Sequence, residues 1–198
     1  MLHSNQHQNL PSLARSISTG AIGFSLVSLC VFATVAFGER WMYQTLGLAG
    51  AYLTWTLLFI LLSGAVFGSL VVVGRWRLPR FYVLFGLAFF AYAVGWMVAY
   101  FILRDAAGEW VGSLAGSVLM AVVFAAGFGS LRSSVKLSAI LFVTNAVGYF
   151  LGSALNNYFS GRVGMLLWGL AYGLFFGAGI GAALQLVQQQ RHTETGTG

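Results

Sequence analysis

Catalysis needs titratable or nucleophilic side chains at workable spacing, and this sequence offers few. Of its 198 residues only 7% are charged. The four acids, Glu39, Asp105, Glu109 and Glu194, fall between apolar runs or in the C-terminal tail. No spacing among them pairs two carboxylates for general acid–base work. His3 and His7 stand four apart in a polar N-terminal stretch, and two tail histidines without further donors make a poor metal site. His-Glu-x-x-His is absent, as is the Gly-rich phosphate loop. Gly116-Ser117 supplies a hydroxyl, but no His lies in any apolar run to act as its base. The same absence argues against a ligated haem or chlorophyll. Cys30 is alone and reads as a small apolar packing residue. The sequence therefore predicts no enzyme, no metal site and no cofactor.

What remains is a sparse set of polar and aromatic side chains in apolar surroundings. The chain is 59% hydrophobic, with a mean hydropathy of +0.83. A soluble domain carries about 25% charged residues, and no soluble fold of this size hides so much apolar surface. The composition predicts an all-α, polytopic integral membrane protein. In lipid a polar side chain is costly and marks either function or helix association. Asn145 is the strongest such residue. Its amide can bond a neighbouring helix or contact a solute. Ser117, Thr54, Thr56, Ser25 and Ser28 are milder cases. Phe85, Phe89, Tyr92, Trp96 and Tyr100 share one helical face. Such a stripe packs on lipid or on a neighbouring helix, or holds a flat apolar ligand such as a quinone, a carotenoid or a lipid tail. Asn145, Ser117, Trp96 and Tyr172 are the candidate lining of a solute site. No ionisable residue lies deep in a run, so proton coupling through a buried carboxylate is not expected.

Six apolar runs must position these residues: 17–37, 49–73, 81–103, 110–131, 137–159 and 163–187, with polar tails at 1–16 and 189–198. Each run is long enough as a helix to cross a hydrocarbon core of ~30 Å. Seven basic residues fall on one side of the runs: Arg15, Arg75, Arg77, Arg80, Arg132, Lys136 and Arg191. Three, Arg40, Arg104 and Arg162, fall on the other beside Glu39, Asp105 and Glu109. The basic side faces the cytoplasm, so both termini are predicted inside, in an inner cell membrane. A competing reading makes the first run a signal peptide ending at Ala36. Arg75, Arg77 and Arg80 form a tight inner turn suited to anionic lipid headgroups. The net charge of +6 is explained by this topology, and nucleic acid is not an expected partner.

Small residues recur four apart. Gly169, Gly173, Gly177 and Gly181 form a ladder in the last run, and Gly108, Gly112 and Gly116 one in the fourth. Residues at this spacing share a helix face, and small ones let two helices approach closely in lipid. The first run shows no good ladder. The ladders serve packing within the chain or docking of a second copy or another membrane protein. Ala146-Val147-Gly148-Tyr149 echoes Ala93-Val94-Gly95-Trp96 at an offset of 53. Gly64–Leu70, Ala125–Leu131 and Gly177–Ala183 also match without gaps. The pattern predicts three tandem helical hairpins with small-residue exits meeting near the cytoplasm. In length, topology and Gly content the chain resembles small six-helix bacterial permeases and solute-binding membrane subunits, a likeness of architecture alone. Two functional expectations follow. One is a transport or solute- or lipid-binding membrane subunit for a neutral or apolar molecule. The other is a structural or assembly subunit docking through Gly-rich faces.

Overall fold

The computed structural model describes residues 10–70 and 77–196, with side chains for 10–70 and 79–190. Within them the protein is all-helical, with five long apolar helices: α1 (Leu13–Phe67), α2 (Arg77–Leu103), α3 (Asp105–Phe128), α4 (Ser134–Phe159) and α5 (Gly161–Gly196). Each carries a stretch long and apolar enough to cross a membrane, an architecture compatible with a multi-pass membrane protein. Arg75 and the side chain of Arg77 lie outside the described residues, and Arg80 is exposed.

The first helix is two arms. Gly47 has φ +67° and ψ −179°, a conformation that breaks a helix and that L side chains rarely adopt. Beyond it the chain reverses, since Phe24 lies 5.5 Å from Phe59 and 5.8 Å from Phe67 between ring centroids. A straight helix would hold Phe24 and Phe67 about 65 Å apart. The segment expected to be a loop after Phe37 is instead helical up to Gly47. Nothing between 38 and 46 breaks a helix strongly enough, because its one Gly costs only ~1 kcal/mol. The last helix likewise runs on to Gly196, past the expected end near 187, through Gln-rich sequence that favours helix.

The other two reversals share one geometry. Arg104 (φ 54°, ψ 180°) breaks the chain between α2 and α3, and Ser160 (φ 45°, ψ 171°) breaks it between α4 and α5. In both, the breaking N–H donates four residues back, from Arg104 to the Tyr100 carbonyl at 2.7 Å and from Ser160 to the Asn156 carbonyl at 2.8 Å. In both, the breaking carbonyl accepts from four residues on, Gly108 N–H and Gly164 N–H. The turns thus correspond at an offset of 56, from Arg104 to Ser160, three residues from the register suggested by the sequence echo.

That register reveals a swap. In the α2/α3 hairpin the aromatics are on the first helix, and Trp96 and Tyr92 cover Gly112 and Gly116. A Cβ on Gly112 would lie 3.0 Å from the Trp96 carbonyl, and one on Gly116 2.8 Å from that of Tyr92. In the α4/α5 hairpin the aromatics are on the second helix, and Trp168 and Tyr172 cover Gly152 and Gly148. Gly108 sits one turn further out, against the Tyr100 backbone.

Around the molecule the packing order is first arm of α1, α5, α4, α3, α2, second arm of α1. The seam between α1 and α5 is built from small residues. A Cβ on Gly173 would stand 2.5 Å from Ser25 Cα and 2.8 Å from the Phe24 carbonyl oxygen. One on Gly177 would overlap the Gly20 carbonyl, one on Gly181 that of Ser16, and one on Gly169 would lie 2.7 Å from Phe32 Cβ. The first arm therefore does present a small-residue face, Ser16, Gly20, Ser25 and Ser28. Serines and a lone Gly concealed it in the sequence.

The outward surface is apolar. On α2, Val83, Leu87, Phe90, Val94, Val98 and Phe101 are exposed at helical spacing. The aromatic stripe on the same helix points the other way, with Phe85, Phe89 and Tyr92 buried. At the end away from the three turns, the Gln188 amide donates to the Leu70 carbonyl at 3.2 Å, while Ser130 and Ser133 donate to Gln190. The three exits do converge there, joined by glutamines where glycines were expected.

Candidate functional site: an aromatic cavity

Between the helices lies a cavity of about 210 Å³. Every helix except α3 contributes to its wall. The first arm of α1 gives Val31, Phe32 and Val35, and the second arm gives Tyr52, Trp55, Thr56 and Phe59. α2 adds Phe89, Tyr92, Ala93, Trp96 and Met97, which is the inner and outward part of its stripe. α4 and α5 add one residue each, Tyr149 and Tyr172. Nine of these fourteen residues are aromatic, and none is ionised at neutral pH. Trp96 precedes Arg104 by eight residues and Tyr172 follows Gly161 by eleven, so the cavity sits about 12–17 Å below the turns.

The hydroxyls of Tyr172, Tyr92, Tyr149 and Thr56 belong to ordered pairs. Tyr172 Oη–H donates to Tyr92 Oη at 3.2 Å, and Tyr92 Oη–H donates to Asn145 Oδ1 at 2.8 Å. All three residues are buried. This chain joins α5, α2 and α4, and the swap of aromatics between hairpins is what brings Tyr92 and Tyr172 face to face. On the outer side, Tyr149 Oη–H donates to Glu109 Oε1 at 3.2 Å, tying α4 to α3. Thr56 spends its hydroxyl on the Tyr52 carbonyl one turn back. The indole N–H groups of Trp55 and Trp96 are buried and have no acceptor in the protein.

Of the four residues singled out in the sequence, Trp96 and Tyr172 line the cavity. Asn145 stands behind it, its amide oxygen held by Tyr92 and its amide nitrogen without a partner. Ser117 is fully buried in α3, away from the lining and without a hydrogen bond. Sequence reasoning missed Tyr52, Trp55, Phe59 and Phe32. Trp55 and Phe59 are four apart and form a short aromatic face, but the hairpin expected there did not fix which helix that face meets.

Below the cavity the centre is filled. Phe89 lies 5.3 Å from Phe59 and 5.8 Å from Phe85, and Phe85 lies 5.5 Å from Phe67, all between ring centroids. Phe124 and Phe176 complete this layer, both fully buried. Comparison of the chain with protein-family models, with curated proteins and with solved structures yields no match in any of the three.

Proposed function

We propose that the protein is an inner-membrane protein of six spans, with both termini cytoplasmic, that binds a small, largely apolar molecule in the aromatic cavity. The two arms of α1 each count as a span on this reading, because they lie antiparallel and share rings across their seam. The observation that carries the binding function is the cavity itself, a gap walled by rings in an interior otherwise packed with phenylalanine. Its size suits one ring or a compact head with a short arm, since a cavity of about 150 Å³ already admits benzene. Binding is favoured over passage, because the layer of Phe59, Phe85, Phe89 and Phe67 leaves no polar track toward the other end. The assembly-subunit reading has less support, because the Gly169–Gly181 face meant to dock a partner lies against α1.

The test uses the purified protein in detergent, with thermal unfolding and tryptophan fluorescence read against toluene, p-cresol and tetramethylammonium. At least one probe should give a saturable shift in both signals. Ala93→Phe puts a ring into the cavity from a half-buried wall position and should abolish the shift with the protein still folded. Absence of any saturable response in the unaltered protein, or an equal response in Ala93→Phe, refutes the proposal.

A further inference from the structure

We infer that the cavity recognises a quaternary ammonium group, the chemistry of the choline head. This rests on the reading of the cavity as a ligand site. Aromatic rings present electron-rich faces, and a cation over several such faces is held without hydrogen bonds, most strongly when desolvated. Around this cavity the rings are contiguous: Phe59 to Tyr172 is 6.2 Å, Phe32 to Tyr172 is 6.2 Å and Trp96 to Tyr149 is 5.9 Å between centroids.

The polar atoms of the wall point the same way. The protons of Tyr172, Tyr92 and Tyr149 are directed to Tyr92, Asn145 and Glu109, away from a guest. The phenol oxygens are thus left as acceptors and negative ends of dipoles. Glu109 adds a carboxylate directly behind Tyr149. Trp96 turns its pyrrole edge toward Gly112 of α3 and stacks on Tyr100 at 4.9 Å, so its N–H edge lies toward α3. No Lys, Arg or His lines the cavity. At this end of the molecule Arg104 is exposed and Arg162 lies over Phe37 at 5.0 Å.

A primary ammonium would need three acceptors for its own protons and would be poorly matched. A quaternary ammonium has none to satisfy and spreads its charge over methyl groups that suit ring faces. The source is either the free onium compound or a lipid headgroup reaching in from the bilayer, and the same chemistry serves both.

The decisive comparison is choline against 3,3-dimethylbutan-1-ol, which has the same shape without the charge. Both are titrated by calorimetry into the full-length protein in phosphatidylglycerol nanodiscs. Choline should bind at least tenfold more tightly than its neutral isostere. Glu109→Gln should weaken choline at least threefold with little effect on the isostere, and Trp55→Leu should weaken choline at least tenfold. Each variant is checked for monodispersity, and Glu109→Gln leaves the ring wall intact. In phosphatidylcholine nanodiscs, loss of choline binding by competition identifies the headgroup as occupant, and retained binding identifies the free compound. Equal affinity for choline and the isostere, or binding of toluene with none of choline, overturns the cation cage while leaving the cavity as a ligand site. Silence from every probe overturns both.

Discussion

Replacing Gly173 tests what the longest small-residue ladder does. An added Cβ would stand 2.5 Å from Ser25 Cα and 2.8 Å from the Phe24 carbonyl oxygen, where ordinary contact begins at 3.4 Å. Both obstacles are backbone, so no side chain can swing aside, and the two helices must part by about 0.9 Å. A gap of 0.5–1 Å forfeits a quarter to a half of each van der Waals contact. If the three-turn seam from Gly169 to Gly181 holds about 30 atom pairs at 0.1–0.2 kcal/mol each, Gly173→Ala loses about 1–3 kcal/mol. The gain in helix propensity offsets up to ~1 kcal/mol of that. Gly173→Leu cannot be met by so small a shift and would lose most of the seam, about 3–6 kcal/mol, a large share of a typical domain's stability. Gly86 is the control, because a Cβ there meets Ile60 Cγ2 at an ordinary 3.4 Å. Unfolding by SDS titration in mild detergent should rank Gly86→Ala at or above the unaltered protein, Gly173→Ala slightly below it and Gly173→Leu far below. A Gly173→Leu monomer of undiminished stability, altered only in oligomeric mass, would refute the reasoning and return the ladder to the role of a docking face.

Two further outcomes are expected. Asn145→Leu removes the acceptor of the Tyr92 hydroxyl, and hydrogen bonds between membrane helices are worth about 0.6–1.7 kcal/mol, so the same titration should show a loss of that order. An unchanged midpoint would mean that the Tyr172–Tyr92–Asn145 chain orders nothing. For topology, Cys30 is replaced by Ser and single cysteines are placed at the exposed positions Gln44, Ala106, Asn157 and Arg132. A membrane-impermeant thiol reagent on intact cells should label the first three and spare the fourth, and any other pattern breaks the six-span arrangement.

The helices were legible from their apolar length, and on the proposal that they cross a membrane the reason is that a backbone without water must bond to itself. Ladder spacing was legible too, and Gly108, Gly112 and Gly116 each lie against the next helix. Partners were not. The face that receives Gly173 and Gly177 is made by Ser16, Gly20, Ser25 and Ser28, and serine in a helix also reads as an ordinary polar substitution. The turn register was off by one helical turn. Ala-Val-Gly followed by an aromatic recurs in α2 and α4, but the turns begin at Arg104 and Ser160, neither a residue type that announces positive φ, and only the residues after them, Asp105 and Gly161, are of types that favour it. Half of the cavity wall stayed hidden for a related reason. A reversal between the runs 17–37 and 49–73 was expected, but which face of the second run turns inward was not fixed by its sequence, so whether Trp55 and Phe59 meet Trp96 could not be read.

The two ends of the molecule are built on different terms, and the difference bears on what the cavity is for. Where the exits converge, closure is by side-chain amides and hydroxyls: Gln188 on the Leu70 carbonyl, and Gln190 with Ser130 and Ser133. Polar bonds between helices in an apolar setting are directional and must be broken together if the helices are to part. At the turn end no such clasp bridges the arms of α1 to α2 among the described residues. Tyr52 meets Phe101 only edge to face, at 6.1 Å, and Tyr43 and Trp55 meet at 5.7 Å across the α1 fold-back. Ring contacts of this kind, worth about 0.5–1.5 kcal/mol beyond their buried area, let neighbours slide and re-pack. On the proposed binding function a ligand would enter most easily between the second arm of α1 and α2. On the same proposal, the phenylalanine layer and the glutamine clasp below it act as a floor, and capture and release would take place on one side.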